Sequence, residues 1–363
     1  MKTKHIFAIL CLSFLLSAQL YAQSAPSQSL LVLSKRAQTL AIVDPSTLKV
    51  LARVPVGHDP HEVIASTDGT TAYVSNYGFG AFNTLARVDL IHQTALPSID
   101  LGPLRGPHGL DFVGGKVWFT AEAAKAIGRF DPQTQKVDWI MGTGQNRTHM
   151  IYVSPDEQFI ITTNVSSGTV SLIEKSKNRG PGPGGPPPSM SNASGAPPPG
   201  PPPMQTGPRG APGGDWDETV IPVGRGSEGF DLSPDGKEIW VANAQDGTIS
   251  IIDKAEKKVM QTLDANVHGA NRLKFTPDGK MVLISTLGGP DLVIYDPATR
   301  KEIKRLPIGH GAAGIEMQPD GARAYVSCTP DNYVAVIDLK TLEVVGHIDA
   351  GPEPDGLAWA IRH

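Results

Sequence analysis

Seven carboxylates recur along the chain at a nearly constant spacing, each at the end of a short apolar run. Their positions are Asp44, Asp89, Asp131, Glu174, Asp253, Asp296 and Asp338. Successive separations are 45, 42, 43, 79, 43 and 42 residues, so five of the six agree with the period of a propeller blade. Because 79 minus 42 leaves 37, the long separation predicts an insertion of that size in the fourth repeat.

The same local marks surround these carboxylates. A Pro-Asp-Gly turn, as at 234–236, precedes a β-branched or aromatic run, as at 239–243, and a second run at 249–253 reaches the carboxylate. Short runs of this composition between turn residues predict strands. Four runs per repeat, without a long helical period after the N-terminus, predict an all-β, seven-bladed β-propeller with four-stranded antiparallel blades.

The two ends of the propeller are predicted to share a blade. The last segment, 355–360, repeats the innermost-strand pattern seen at 228–232, and the segment from about Leu30 supplies three further strands. We therefore expect a C-terminal strand to join the N-terminal blade and close the ring, which leaves no open sheet edge. A single propeller would then span residues 29–363.

These motifs resemble the YVTN-type β-propeller repeat family. Tyr73-Val74-Ser75-Asn76 and Trp240-Val241-Ala242-Asn243 match its name-giving strand, and the Pro-Asp-Gly turn and the Val-Ile-Asp ending complete the match. The resemblance covers about residues 29–360 apart from the insertion. It implies a propeller fold and says little about function, because this fold hosts binders, scaffolds and enzymes.

The N-terminus has the pattern of an export signal. A basic start at Lys2 and Lys4 precedes an apolar stretch at 6–16 and small residues up to Ala22. This pattern predicts a cleaved signal peptide at 1–22, a short linker at 23–28 and a periplasmic or secreted protein. The apolar stretch is shorter than the ~20 residues that a spanning helix needs, so we expect no membrane insertion.

The predicted insertion, 177–214, contains 13 of the chain's 32 prolines, separated mainly by Gly, Ser and Met. Such a composition buries too little apolar surface to form a core, so we expect a disordered proline-rich segment within the fourth blade.

Composition and missing motifs exclude several classes of function. The formal net charge is -4 and no Lys/Arg block is present, which argues against nucleic-acid binding. Beyond the signal, Cys328 is the single cysteine, so neither a disulfide nor a thiolate metal cluster can form within the chain. Phosphate-loop and Cys-x-x-Cys-His motifs are absent from the sequence, so we expect no nucleotide cofactor and no covalent haem. We also expect the protein to be a monomer.

Polar residues recur in the connections that lead from each blade to the innermost strand of the next. One repeat position, here called the first ring, holds His61, His108, His149, Glu228, Asn271, Ala313 and Asp355. Three residues earlier, the second ring holds His58, Arg105, Asn146, Arg225, His268, His310 and Pro352. Because equivalent positions of successive blades surround one axis, we expect both rings to line the mouth of the central channel.

The first ring predicts a metal site. His61, His108 and His149 come from three consecutive blades, and Glu228 follows in the next. Three imidazoles and a carboxylate suit a divalent transition metal, namely Zn, Fe, Cu or Mn, rather than Ca or Mg.

A small anionic ligand is the second interpretation, because guanidinium and imidazole groups bind carboxylates and phosphates. The predicted ligand-binding residues are His58, Arg105, Arg225, His268, His310 and Asp355. His149, Glu228 and Arg272 also resemble the His, Glu and Arg that propeller lactonases, including phosphogluconolactonase, place around their channel. That resemblance implies a catalytic role for these three in lactone hydrolysis or β-elimination. The chain departs from the pattern at Thr148-His149-Met150, where lactonases often have His-Pro-His.

Three functions therefore remain open from the sequence. The propeller is interpreted as a ligand- or metal-binding module with a His-rich channel mouth, as a surface for a protein partner, or as a lactonase or lyase. The sequence does not decide whether the protein is an enzyme.

Overall fold

The computed structural model describes residues 27–176 and 216–362. These residues form 28 strands in seven four-stranded antiparallel sheets, so the predicted seven-bladed β-propeller is confirmed. The predicted signal peptide at 1–22 and the proline-rich insertion at 177–214 lie outside the described residues and stay predictions.

The strands follow the repeat along the chain. The first three blades contain β1 (Gln28–Ser34), β2 (Thr39–Asp44), β3 (Lys49–Pro55), β4 (Pro60–Ala65), β5 (Thr71–Asn76), β6 (Thr84–Asp89), β7 (Thr94–Asp100), β8 (Pro107–Val113), β9 (Lys116–Ala121), β10 (Ala126–Asp131) and β11 (Lys136–Gly142). The fourth and fifth contain β12 (Thr148–Val153), β13 (Phe159–Asn164), β14 (Thr169–Lys175), β15 (Trp216–Pro222), β16 (Ser227–Leu232), β17 (Glu238–Asn243), β18 (Thr248–Asp253) and β19 (Lys258–Asp264). The last two contain β20 (Ala270–Phe275), β21 (Val282–Thr286), β22 (Asp291–Asp296), β23 (Lys301–Pro307), β24 (Ala312–Met317), β25 (Arg323–Cys328), β26 (Tyr333–Asp338), β27 (Glu343–Ile348) and the closing strand β28 (Pro354–Ile361). A 3-10 turn spans Gly78–Gly80.

In six blades the repeated carboxylate ends the third strand and holds the turn that follows, whereas Glu174 lies one residue before the end of β14. Asp44 accepts hydrogen bonds from the backbone N–H of Ser46 at 2.9 Å and from the hydroxyl of Thr47 at 2.8 Å. Asp338 likewise accepts the N–H groups of the two residues that begin its turn, both at 2.9 Å. A short acidic side chain satisfies these backbone donors locally, which explains why the position recurs.

The ring closes as the sequence predicts. The first blade has the strand order β28-β1-β2-β3, so its innermost strand comes from the C-terminus. Leu30 pairs with Trp359 and Val32 with Leu357 across this junction. The innermost and second strands therefore form a complete antiparallel ladder in this blade too, and no edge opens toward the channel.

The apolar core lies between the blades. The second and third strands are buried along most of their length, whereas the fourth strands alternate between exposed and half-buried residues. Trp118, Trp240 and Tyr325 are fully buried aromatic side chains of the second strands. This arrangement fixes the innermost strands around the axis and leaves their first residues facing the channel mouth. Among the described residues, no helix has the length and apolar character needed to cross a membrane.

Candidate functional site

The structure brings all seven first-ring residues to one cavity on the propeller axis. Each is the second residue of its innermost strand, in β4, β8, β12, β16, β20, β24 and β28. The cavity, here called the axial cavity, has a volume of ≈ 460 Å³. Its lining residues are Lys35, His61, Tyr77, Phe79, His108, Arg147, His149, Glu228, Asn271, Arg272, Leu287, Ala313, Thr329 and Asp355.

Local backbone geometry explains why these positions face the axis. The pairing of the innermost strand with the second strand shifts register just after the ring residue, for example between Pro107 and Leu110. Such a bulge redirects side chains at the end of a strand. The next residue is glycine in four blades, and a Cβ on Gly109 would lie 2.5 Å from the carbonyl oxygen of His149. The innermost strands therefore approach closely enough to bring successive ring residues into contact.

Three imidazoles form a row across the cavity. The ring centroids of His61 and His108 are 5.1 Å apart, and those of His108 and His149 are 3.8 Å apart. His108 is only 3% exposed, and its Nδ1 has no hydrogen-bond partner among the described residues. Burial, together with the positive charges of His149 and His61, lowers the pKa of His108 well below its ordinary value. His108 is therefore a neutral imidazole with an unused ring nitrogen.

His149 lies between two carboxylates. Its Nδ1 contacts Glu122, and its Nε2 lies 3.0 Å from Oε1 of Glu228. Burial opposes the charged form, but the two carboxylates outweigh it and raise the pKa of His149 to about 9. The same pairing overcomes burial at Glu228 and lowers its pKa to about 2. His149 is thus an oriented imidazolium at neutral pH in the metal-free protein, and a metal ion bound to its ring would have to displace a proton.

His61 is held in a similar way. Its Nε2 lies 3.3 Å from Asp59 and its Nδ1 lies 3.2 Å from Asp355. Asp355 also pairs with the ammonium of Lys35 at 2.7 Å. Burial works against protonation of His61, yet these carboxylates raise its pKa above the ordinary value. Carboxylates thus favour protonation of both outer histidines, whereas burial disfavours protonation of the central one.

Glu122 is a site residue that the sequence reasoning missed. It is 5% exposed, contacts His149, and accepts a hydrogen bond of 2.5 Å from the hydroxyl of Tyr77. Ligand atoms of His108, Glu122 and His149 all lie within 4.8 Å of one another. Burial raises its pKa, but the hydrogen bond to the His149 imidazolium outweighs this and leaves the pKa lowered.

A third repeat position in the sequence would have identified Glu122 as a candidate site residue. The residue directly after the second strand of each blade is Lys35, Tyr77, Glu122, Val165, Ala244, Leu287 or Thr329. Four of these line the axial cavity, and Glu122 contacts it through His149. The turn between the second and third strands therefore faces the same end of the channel as the first ring.

The predicted catalytic residue Arg272 also lies at the cavity. Its guanidinium pairs with Glu62 from a blade on the other side of the ring and donates to the carbonyl oxygen of Asn271 at 3.1 Å. Arg272 is 6% exposed. The structure thus brings His149, Glu228 and Arg272 to one cavity, although Arg272 is paired with a carboxylate of the protein.

The second ring occupies the exposed rim. The cavity lining includes none of its seven residues, all of which the structure describes. The guanidinium of Arg225 pairs with Asp246 at 2.7 Å, and His310 lies 3.2 Å from Asp331. Of the six residues predicted to bind a ligand, Asp355 alone lines the axial cavity. The other five, His58, Arg105, Arg225, His268 and His310, are exposed on the rim.

The donor set at the centre suits a metal ion. Imidazole nitrogen and carboxylate oxygen are ligands of Zn, Fe, Cu and Mn. Of the predicted metal ligands, His108 and His149 belong to the converging group, whereas Glu228 and His61 contact it from the sides. The arrangement can also hold and orient a proton between two carboxylates, which is a requirement for acid-base chemistry.

Comparisons with known proteins point to other β-propellers. Residues 214–315 match the family model described as the cytochrome D1 heme domain. Antigen Lp49 from Leptospira interrogans is 26% identical over 150 residues, which are 36% of this chain and 33% of that protein. Protein NirF from Stutzerimonas stutzeri is 28% identical over 103 residues, which are 28% of this chain and 26% of that protein. The chain thus matches about a third and about a quarter of the length of these two relatives.

Solved structures extend the similarity to nearly the whole chain. A putative 6-phosphogluconolactonase from Bacteroides fragilis has a TM-score of 0.67 at 15% identity and covers 92% of this chain and 98% of its own. Dihydro-heme d1 dehydrogenase NirN in complex with DHE has a TM-score of 0.58 at 14% identity and covers 91% of this chain and 74% of its own. At such identities the similarity shows the fold alone. The chain is therefore a seven-bladed β-propeller with local similarity to the cytochrome D1 heme domain.

Proposed function

We propose that this protein is a binding module whose axial cavity holds a divalent transition metal ion through His108, His149 and Glu122. One observation carries the proposal: ligand atoms of these three buried residues lie within 4.8 Å of one another. The unused Nδ1 of His108 supports it, because a buried imidazole nitrogen without a hydrogen-bond partner is costly unless it binds something.

The surrounding residues support a metal site as well. Tyr77 contacts Glu122, and Glu228 lies 3.0 Å from the Nε2 of His149. Partners of this kind fix the orientation of metal ligands and are a regular feature of metal sites in proteins. The ring nitrogens of His61 lie 3.3 Å from Asp59 and 3.2 Å from Asp355, and His61 is not part of the converging group, so we assign it a supporting position rather than a ligand.

The family match raises the question of a haem, and the pair of central imidazoles does not fit one as its two axial ligands. A haem iron has four in-plane ring nitrogens and takes protein ligands only along its axis. His108 and His149 lie side by side, with ring centroids 3.8 Å apart and planes tilted by 35°, and so cannot flank a macrocycle. We therefore propose a bare ion, with Zn, Fe, Cu and Mn as the metals that the donors suit.

The test measures Zn²⁺ binding by titration calorimetry and the metal content by elemental analysis. We expect the parent protein to bind about one equivalent and the His108→Ala variant to bind at least 100-fold more weakly, since loss of a ligand removes several kcal/mol. His92→Ala is the control, because His92 is 74% exposed and lies outside the axial cavity. Equal Zn²⁺ affinity in the parent and the His108→Ala variant would overturn the proposal. A parallel titration with haemin compares binding of the bare ion with binding of a macrocycle.

A second candidate function is acid-base catalysis on a small lactone or related anion. The contact of His149 with Glu228 at 3.0 Å favours it, together with the contact between His149 and Glu122 that orients the ring. Arg272 would bind the anionic group only by exchanging its partner Glu62. Hydrolysis of simple lactones by metal-free protein, abolished in the Glu228→Gln variant, would support this function over metal binding alone.

Two predictions from the sequence remain part of this proposal. The strand motifs support a YVTN-type repeat protein, and the N-terminal pattern supports export to the periplasm or beyond. Mass spectrometry of the mature protein after expression with its full N-terminus tests the second of these. A new N-terminus directly after Ala22 is the expected result.

A further inference from the structure

We propose that the mouth of the axial cavity binds a small organic carboxylate with an apolar body, whose carboxylate pairs with Arg147 and whose apolar part contacts Phe79. The inference deepens the proposed function, because it names the ligand class of the same cavity and rests on that cavity being a binding site. It starts from the backbone conformation of two residues.

Arg147 occupies a repeat position where the backbone is left-handed in every blade. The position lies two residues before the first ring and is filled by Asp59, Gly106, Arg147, Gly226, Gly269, Gly311 and Glu353. The φ angles are positive at all seven, and Arg147 has φ 55. Four blades use glycine, which adopts this conformation without steric strain. A side chain at this position is therefore strained and needs a compensating interaction.

The two acidic exceptions have such interactions. Asp59 accepts a hydrogen bond from the N–H of Gly78 at 2.9 Å and faces His61, and Glu353 pairs with Arg36. These contacts account for a carboxylate where glycine would be easier to accommodate.

The contacts of Arg147 within the protein are longer. Its guanidinium lies 3.5 Å from Glu122 and 3.7 Å from Glu228, beyond the ~2.8 Å of a charge-assisted hydrogen bond. Its Nε is buried and has no hydrogen-bond partner among the described residues. The side chain is nevertheless 42% exposed and lines the axial cavity. Arg147 thus presents a planar set of donors to the cavity, suited to a planar carboxylate.

Phe79 is the second strained residue at this mouth. It has φ 50 and lies in the 3-10 turn between Gly78 and Gly80. Its side chain is 88% exposed, yet it lines the axial cavity together with Leu287, which is 53% exposed. A large apolar side chain held in this way at a cavity mouth marks an apolar contact for a ligand.

The polar interior of the cavity and the apolar residues at its mouth together define the ligand class. Cationic groups line the interior beside the carboxylates of Glu228 and Asp355, which already pair with His149 and Lys35. The exposed apolar side chains Phe79 and Leu287 lie among the lining residues of the same ≈ 460 Å³ cavity. This volume lies in the lower part of the range for small-molecule sites. A small aromatic carboxylate would satisfy both ends, and phenylacetate is a suitable probe.

The test is calorimetric titration with phenylacetate and with acetate, which shares the carboxylate but lacks the ring. We expect phenylacetate to bind at least tenfold more tightly than acetate to the parent protein. Arg147→Ala should weaken phenylacetate binding at least tenfold, and Phe79→Ala should remove its advantage over acetate. The controls are Arg53→Ala and Ile303→Ala, which remove exposed side chains outside the cavity.

Arg147→Gly is the second variant, since glycine is the residue that four blades use at this position. It should remain folded, with a urea midpoint close to that of the parent, and should lose phenylacetate binding as Arg147→Ala does. Equal binding of phenylacetate and acetate by the parent, or parent-like binding by both Arg147 variants, would overturn the inference.

Titrations are run on protein treated with a chelator and on Zn²⁺-loaded protein, with the metal content measured in each. If Zn²⁺ binds and phenylacetate does not, the ligand inference is wrong and the metal proposal stands. If phenylacetate binds and Zn²⁺ does not, the metal proposal is wrong and the ligand inference stands.

Discussion

Substitution of Gly109 by alanine should destabilise the protein and weaken the candidate metal site from a distance. A Cβ at this position would lie 2.5 Å from the carbonyl oxygen of His149, 2.8 Å from Cα of Met150 and 2.9 Å from N of Ile151. All three are backbone atoms, so none can rotate away. Ordinary contact for a methyl group is 3.4–4 Å, and β8 and β12 would have to separate by about 1 Å.

The expected cost has two parts. Overpacking of this kind costs about 1–3 kcal/mol. Thr120 accepts a hydrogen bond from the N–H of Gly109 at 2.9 Å and donates one to the carbonyl oxygen of His149 at 2.7 Å, and separation of the strands strains this bridge. Its loss adds about 1 kcal/mol, for a total of about 2–4 kcal/mol.

Urea unfolding of the metal-free protein measures this cost, and a Zn²⁺ titration measures the effect on the site. Because Gly109→Ala shifts the backbone of His149, we expect Zn²⁺ affinity to fall at least tenfold. Gly142→Ala is the matched control, because a Cβ on Gly142 meets no atom within 4 Å. The control should change stability by less than about 1 kcal/mol. If Gly109→Ala is as stable as the control, the close approach of β8 and β12 does not require glycine at position 109.

Three further predictions concern Glu122 at the candidate site and two groups elsewhere in the molecule, Glu316 and Cys328. Glu122→Gln should lower Zn²⁺ affinity at least 100-fold, and an unchanged affinity would remove Glu122 from the ligand set. Burial raises the pKa of Glu316 from 4.5 to about 7 despite the nearby Lys274, so its ionisation disfavours the folded state. Stability should therefore be greatest below the unfolded pKa and fall by up to about 3 kcal/mol as the pH rises towards 7, and Glu316→Gln should flatten this dependence in urea titrations at several pH values. Burial also raises the pKa of the Cys328 thiol to about 12, so an aromatic disulfide reagent at pH 8 should react only after unfolding, and rapid reaction with the native protein would contradict the buried position.

The blade architecture could be predicted because each blade repeats the same local chemistry. The carboxylate at Asp44 or Asp338 bonds to the turn beside it, so its spacing reports the strand order without knowledge of distant contacts. Ring closure was also predictable, since the pattern at 355–360 lacks partner strands after it and the N-terminal segment lacks an innermost strand before it.

The site was predictable only in part, for a geometric reason. First-ring residues begin the innermost strands, where a bulge directs them to the axis, so His61, His108 and His149 meet as expected. The second ring lies three residues earlier, before a left-handed residue that turns the chain, and its side chains remain on the rim. Equal spacing therefore established equivalence between blades but not the direction of each side chain.

The sequence alone could not predict which side chains of different blades contact each other. Glu122 meets His149 because the turn after β9 extends over β12, and Glu62 meets Arg272 although the two are 210 positions apart. The charge of each histidine depends on these pairings. Identical imidazoles at equivalent positions thus differ in pKa, which is lowered at His108 and raised at His61 and His149.

The pairing of β28 with β1 has a kinetic consequence. Gln28 pairs with Ile361, so the last contact of the ring connects the two ends of the chain. Most strand pairs within a blade form between segments that are neighbours in the sequence. The pairing of β1 with β28 instead joins two strands separated by nearly the whole length of the chain. Folding should therefore end with a slow closure step, before which the inner edge of β1 is free to accept the strand 354–361 of another molecule. At high protein concentration, refolding should yield strand-exchanged oligomers that dilution before the closure step prevents.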